Sequence, residues 1–316
     1  MDSVVMVQGM HDELRALHAA RLSAASRTTL VTSSGVRAEP ERDIARALEA
    51  DRSLVIDVPS AVDPRHVVAL AADAQHELGA IETVVDARML LRLLGLDGRR
   101  ACDCWRAQRL VEQLEQSTMV TIMRWHPLAT ADLSIVMTLV SHLAPRTRLR
   151  LDRGVVEAPA MGAIEREHDR AGWTAVLNDD HDPHMTDPRV AALRFDDLRP
   201  FHPERLRAAL ETLGAGRHGA LVRSAGFMCL ASRPGRMALW DQAGGAIDLH
   251  PLPEPEPGAL PVALGQELAL IGVDLDRAAV ASLLDVATLH DDELAAGPEA
   301  WTRLADPFPE WHAHAH

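Results

Sequence analysis

There is no lysine and no tyrosine in the 316 residues; every basic side chain is an arginine. Any mechanism that needs a compact ammonium on a flexible stem is therefore excluded. Aromatic residues make up only 3% of a chain that is 47% hydrophobic, so Leu, Val and Ala must fill the cores. Three cysteines, an odd number, do not make a disulfide framework, and a reducing cytoplasm is the expected setting. No apolar run reaches membrane-spanning length. Met1 to Met10 carries neither the basic segment nor the small-residue cleavage site of a secretion signal. Clustered positive charge is missing too: 46 acidic residues outweigh 32 basic ones, for a formal charge of −14. Direct nucleic-acid binding is not expected of such a chain, nor is docking on an anionic membrane.

What is there reads as two domains, the natural prior for this length. Short apolar runs at 4–8, 28–32, 53–58, 81–85 and 119–123 have strand character, and helical patterns over 14–22, 42–50, 66–80 and 107–114 separate them. Strands alternating with helices predict a parallel sheet covered on both faces, an α/β arrangement over 1–157. Residues 158–189 are polar and read as a linker. From 190 to 316, strand-like runs at 191–195, 220–222, 227–231, 237–240, 246–249 and 268–273 cluster, with helices only over 204–213, 277–286 and near the end. That pattern predicts a smaller α+β domain with an antiparallel sheet.

Candidate metal ligands are few. Cys102 and Cys104 form a C-x-C pair whose thiolates suit Zn²⁺, but two further ligands are needed and only Asp103 is near in sequence. His181 and His184 lie among Asp179, Asp180 and Asp182 in the linker, a setting for weak, exchangeable Zn²⁺. His312, His314 and His316 alternate at the tail. Cys229 sits in an apolar run and is expected in a core. His202, between Pro200 and Pro203, has a structural reading. Arg199, Arg205 and Arg223 fit either internal ion pairs or an interface.

Six strings of the second half resemble, in order, the C-terminal domain of the CobW family of zinc-handling P-loop proteins: RPFHPERL from Arg199, LVRSAGF from Leu221, ASRP from Ala231, WDQAGG from Trp240, IGVDLDR from Ile271 and DPFPEW from Asp306. In the first half, IDVPSAVDP from Ile56 and TVVDA from Thr83 are similar to the family's third and fourth strands. The resemblance implies a P-loop NTPase-like parallel sheet flanked by helices, followed by a CobW C-terminal domain.

It also shows where the chemistry departs. A P-loop is G-x-x-x-x-G-K-[ST]: glycines let backbone N–H groups wrap the phosphates, Lys neutralises them, and the hydroxyl holds Mg²⁺. Counting from Gly9, this chain has Leu14, Arg15 and Ala16 at the last three positions. The guanine-reading Asn-Lys-x-Asp falls on Met123-Arg124-Trp125-His126. The acid after the third strand persists as Asp57, but Ser60 replaces the glycine. The family's Cys-x-Cys-Cys is absent. Gly9, Arg15 and Asp57 are the nucleotide-site remnants, and GTP hydrolysis with Mg²⁺ is not expected.

The expected function is that of a CobW-like protein of zinc homeostasis acting as a non-hydrolysing adaptor, with Zn²⁺ the only candidate cofactor. The closing DPFPEWH is similar to a branch tied to zinc limitation and to recruitment of a ribosome hibernation factor. A protein partner follows: a ribosomal protein, the hibernation factor, or a zinc-protein client. The alternative is a GTP-dependent zinc metallochaperone with residual nucleotide or metal binding.

Overall fold

The computed structural model describes residues 3–32, 39–51, 53–98, 104–156, 171–253 and 265–311. The chain divides into two compact units, one of Met1–Leu93, Trp105–Ala171 and Pro183–Met185, the other of Leu94–Cys104, Gly172–Asp182 and Thr186–His316. No helix among the described residues is long and apolar enough to cross a membrane.

The first unit is a six-stranded sheet, β1 (Ser3–Gln8), β2 (Thr29–Thr32), β3 (Ser53–Asp57), β4 (Leu78–Asp86), β5 (Met119–Met123) and β6 (Arg148–Leu151). All pairings are parallel and the order is β2-β3-β1-β4-β5-β6. Helices α1 (Asp12–Ser26), α2 (Pro40–Ala50), α3 (Pro64–Asp73), α4 (Ala87–Leu93), α5 (Cys104–Glu115) and α6 (Thr130–Leu143) intervene. The two-residue period of a strand explains the unbroken apolar run of β1. Val4 and Met6 join one core with Ile44, Leu48 and Val67, while Val5 and Val7 join a second with Leu14, Ala19 and Leu22. Both faces are thus buried.

Two readings shift. The helix expected over 66–80 stops at Asp73, because Gln75 turns left-handed (φ 59°) and His76 N–H returns to the Ala71 carbonyl at 2.9 Å. β4 then begins three residues early, at Leu78. The helix α6 has no sequence signal: every residue from Thr138 to Leu143 is buried, which erases the 3.6-residue period.

The second unit has a five-stranded antiparallel sheet of β7 (Val190–Asp197), β8 (Ala220–Cys229), β9 (Met237–Ala243), β10 (Ala246–Pro251) and β11 (Gln266–Val273), ordered β10-β9-β8-β11-β7. Its helices are α7 (Gly172–Leu177), α8 (Pro203–Gly214), α9 (Arg277–Ala287), α10 (Asp291–Ala295) and α11 (Pro298–Trp301). The core gathers Phe201, Leu206, Met228, Trp240, Leu268, Leu270 and Leu284. β8 is one strand where two runs were expected. Gly226 lies inside it at φ 145°, and a Cβ there would meet the Glu267 carbonyl oxygen at 2.0 Å. This glycine permits close strand approach rather than breaking the strand. Helix α7 falls inside the span expected as a linker, and buries Ala175 and Val176.

Candidate functional site

In a parallel sheet, ligands bind outside the carboxyl ends of the strands where the chain order reverses. Here the reversal lies around β1, flanked by β3 and β4. Asp57 closes β3, Asp86 closes β4, and Gly9, Met10 and His11 lead from β1 into α1.

That lead is too short for a phosphate cradle. α1 starts at Asp12, three residues after Gly9, so Leu14 and Arg15 already lie in its first turns. The N–H groups a phosphate loop would aim at an anion are therefore drawn into the helix; Arg15 N–H, for one, donates to the His11 carbonyl at 3.0 Å. Met10 is buried. Gly9 is explained by packing: at φ 155° it lets β4 come close, and a Cβ would sit 2.4 Å from the Val84 carbonyl oxygen. Its reading as a phosphate-loop glycine gives way to that steric reason.

Arg15 and Asp57, picked from the sequence as remnants, are brought together, and to each other. Arg15 Nε donates to Asp57 Oδ1 at 2.5 Å, and Arg15 Nη1 donates to Asp12 and to the Gly9 carbonyl (3.2 Å). Arg15 is 5% exposed and Asp57 7%. The guanidinium thus faces two carboxylates and a carbonyl. Ser60, at the lost glycine, donates toward Asp12 Oδ1 at 3.4 Å. Asp63, in the segment similar to a nucleotide switch, caps α3: its carboxylate accepts Arg65 N–H at 2.9 Å. Partial burial raises its pKa, but the Arg65 bonds and the charges of Arg65 and Arg109 outweigh that and leave it lowered.

The base-reading position is likewise filled from within. Arg124 takes a left-handed backbone (φ 51°), and its Nη1 lies 3.1 Å from His11 Nε2 and 3.5 Å from Asp86 Oδ2. Trp125 stacks on His126 at 3.9 Å and donates from Nε1 to the Asp152 carbonyl at 2.9 Å. Asp86 Oδ1 accepts Met89 N–H at 2.8 Å, fastening the start of α4. These residues do not fit GTP with Mg²⁺. Ala16 offers no oxygen for the metal, Arg15 is engaged, and no carboxylate stands in the 123–126 segment.

Sequence reasoning missed a buried polar cluster beneath this edge. Glu82 of β4 is fully buried; its Oε1 lies 2.8 Å from His18 Nε2 and accepts from Arg150 Nη2 (2.7 Å) and the Thr121 hydroxyl (2.5 Å). Burial pushes the carboxyl pKa up, but His18, Arg150 and Thr121 together hold it below the ordinary range. A Glu inside an otherwise apolar strand was the available signal.

The metal candidates that fall among the described residues are not assembled. Among the described residues no group of three or more His, Cys, Asp or Glu is placed to hold an ion. Cys102 lies outside the described residues, and Cys104 is an exposed free thiol opening α5. In the first unit His184 Nδ1 lies 3.0 Å from the Ser141 hydroxyl, which accepts Met185 N–H at 3.1 Å. His181 belongs to the second unit and is partly buried. The tail histidines 312, 314 and 316 fall outside the described residues. Burial pushes the Cys229 thiol up to about 11, so it stays protonated.

In the second unit the arginines left open by the sequence form internal ion pairs. Arg199 bridges Asp197 and Asp285, each at 2.6 Å, Arg205 grips Glu293 at 2.9 and 2.5 Å, and Arg223 pairs with Asp241. His202 is the residue just before α8, its ring held below the usual histidine range by burial and then by the Arg205 charge. The closing motif is strapped down: Asp306 accepts from Ser232 (2.6 Å) and Arg233 (2.8 Å), and Arg233 lies 4.3 Å over the Trp311 ring.

Residues 190–288, spanning this second sheet with α8 and α9, match the model of the family described as cobalamin synthesis protein cobW C-terminal domain. The second unit thus carries a CobW C-terminal domain. It is 29% identical to the zinc chaperone Rv0106 of Mycobacterium tuberculosis over 81% of its own length, and spans only 64% of that relative. It is 24% identical, over 63% of its length and 47% of the relative's, to the zinc-regulated GTPase metalloprotein activator 1 of Dictyostelium discoideum. Among solved structures it is similar to the Zn(II)-bound YjiA GTPase of E. coli, at 9% identity and a TM-score of 0.40, covering 91% of this chain and 99% of that one.

Proposed function

We propose that this chain is a cytoplasmic CobW-like protein of zinc homeostasis that works as a non-hydrolysing adaptor, with a degenerate P-loop GTPase-like domain over 1–157, a linker over 158–189 and a CobW C-terminal domain over 190–316. One observation carries the reading: the arginine standing where a phosphate-binding lysine would be is buried against Asp57 and Asp12, in a helix that starts too early to leave a phosphate loop. A triphosphate would have to break that buried pair and unwind the first turn of α1 before finding a cradle. Relatives named for zinc and for metalloprotein activation support a client protein as partner. The resemblance of the closing DPFPEWH to the zinc-limitation branch points the adaptor toward the translation machinery, with a ribosome hibernation factor or a ribosomal protein as the client.

Calorimetric titration with GTP and Mg²⁺ tests the core of this. No saturable heat is expected; micromolar affinity, or GTP turnover abolished by Asp57→Ala, overturns it. A second reading, a GTP-dependent zinc metallochaperone, is favoured by the names of the same relatives. It requires zinc binding that changes with nucleotide, and zinc titration with and without GTP separates the two.

A further inference from the structure

The second unit carries a groove that none of the chemistry above uses. It has a volume of about 250 Å³ and is lined, among the described residues, by 247–251 of β10 and by 308–311 of the closing segment. β10 is the outermost strand of its sheet. Its inner edge pairs with β9, and among the described residues its outer edge has no strand partner. An edge strand presents free N–H and C=O groups, a template for another extended chain.

Alternation along β10 sets the chemistry of that template. Ile247 and Leu249 pack against the core that holds Trp240, joined by Phe308 and Trp311. Asp248 and His250 are exposed. Asp248 stands directly opposite Asp241 in the register with β9, and Asp241 is already neutralised by Arg223. Carboxylates abreast on neighbouring strands repel, so a cation beside Asp248 is favoured. Glu310 adds an exposed carboxylate on the other wall. Arg233 and Arg236 are turned onto the Trp311 ring, at 4.3 and 5.6 Å from its centroid, and Arg233 is also held by Asp306.

We propose that this groove docks an extended segment of a protein partner bearing alternate arginine or lysine. The segment adds a strand to the outer edge of β10, lays apolar side chains on Leu249 and Trp311, and sets its cations against Asp248 and Glu310. The chain's formal charge of −14 favours a basic partner over long range. The inference rests on the adaptor reading only in taking the occupant to be a protein client.

The test uses the full chain and a fluorescein-labelled heptapeptide of alternating arginine and valine, beside its glutamate–valine counterpart. Fluorescence anisotropy is expected to show saturable binding of the basic peptide and none of the acidic one, with amide exchange slowed in β10. The Asp248→Arg/Glu310→Arg variant changes only exposed side chains, and its circular dichroism should match the parent. It should bind the basic peptide about tenfold more weakly and admit the acidic one. Equal binding of both peptides, no binding to the parent chain, or unchanged affinity in the variant overturns the proposal. So does a β10-to-β10 dimer in sedimentation that the basic peptide fails to displace. No arm involves nucleotide or zinc, so failure here leaves the closed-crevice reading standing, and GTP turnover would sink that reading without touching this one.

Discussion

The Arg15–Asp57 pair is the place to press hardest. Both side chains are more than nine-tenths buried, 42 residues apart in sequence, and joined at 2.5 Å. Arg15→Met keeps most of the volume but leaves the Asp57 carboxylate without its cation, which should cost about 3 kcal/mol, the low end for a broken buried pair. Asp57→Leu should cost less, about 1–2 kcal/mol, because Arg15 keeps Asp12 and the Gly9 carbonyl. Replacing both leaves an apolar contact and no orphaned charge, so the double variant should lose only about 1–2 kcal/mol. The coupling in the double-mutant cycle is then about 2–4 kcal/mol. Urea unfolding followed by circular dichroism, read on the transition of the first unit, supplies the four free energies. Coupling below about 1 kcal/mol would mean that the guanidinium is held loosely, and the claim that it is unavailable to phosphate would fall.

Three further outcomes follow from particular contacts. Glu82→Gln should destabilise the first unit by about 2–4 kcal/mol at neutral pH. Because the folded carboxyl is lowered, that stabilisation is present above the ordinary carboxylate range and is lost as pH falls through the lowered value; a gap between parent and variant that stays constant from pH 7 to pH 3 refutes it. Gly9→Ala should cost about 2–4 kcal/mol, since the methyl meets the Val84 carbonyl in a backbone region that L-residues avoid; an unshifted melting temperature would show that β4 yields freely. Glu293 is lowered to about 2, chiefly by the Arg205 bond against an opposing burial effect, with His290 N–H assisting. Its contribution should hold through the ordinary carboxylate range and be lost only as pH falls toward about 2, read in the fluorescence of Trp301, whose indole donates to the Glu293 carbonyl at 2.7 Å. In Arg205→Met the transition should move up toward the ordinary range, and an unmoved transition contradicts the assignment.

Much of the architecture was legible because its signals are local. The continuous apolar runs VVMV of β1 and LVI of β3, separated by helical patterns, report a sheet buried on both faces. The clustered strands after 190 report an antiparallel sheet without needing any contact. The absence of glycine, lysine and hydroxyl at positions 14–16 is likewise read directly from the chain. Only the tertiary structure decided what the residues at that edge touch. A sequence shows that Arg15 and Asp57 carry opposite charges, but not that strand order sets β3 beside β1 so that the two meet under solvent-excluded conditions. Gly9 looked like half of a phosphate loop until the neighbouring Val84 carbonyl supplied a steric reason for it. The same holds for Glu82, whose charge is tolerable only because His18, Thr121 and Arg150 converge on it from three other elements. Periodicity is written in one segment at a time; electrostatic compensation depends on distances between segments, and those exist only once the chain is folded.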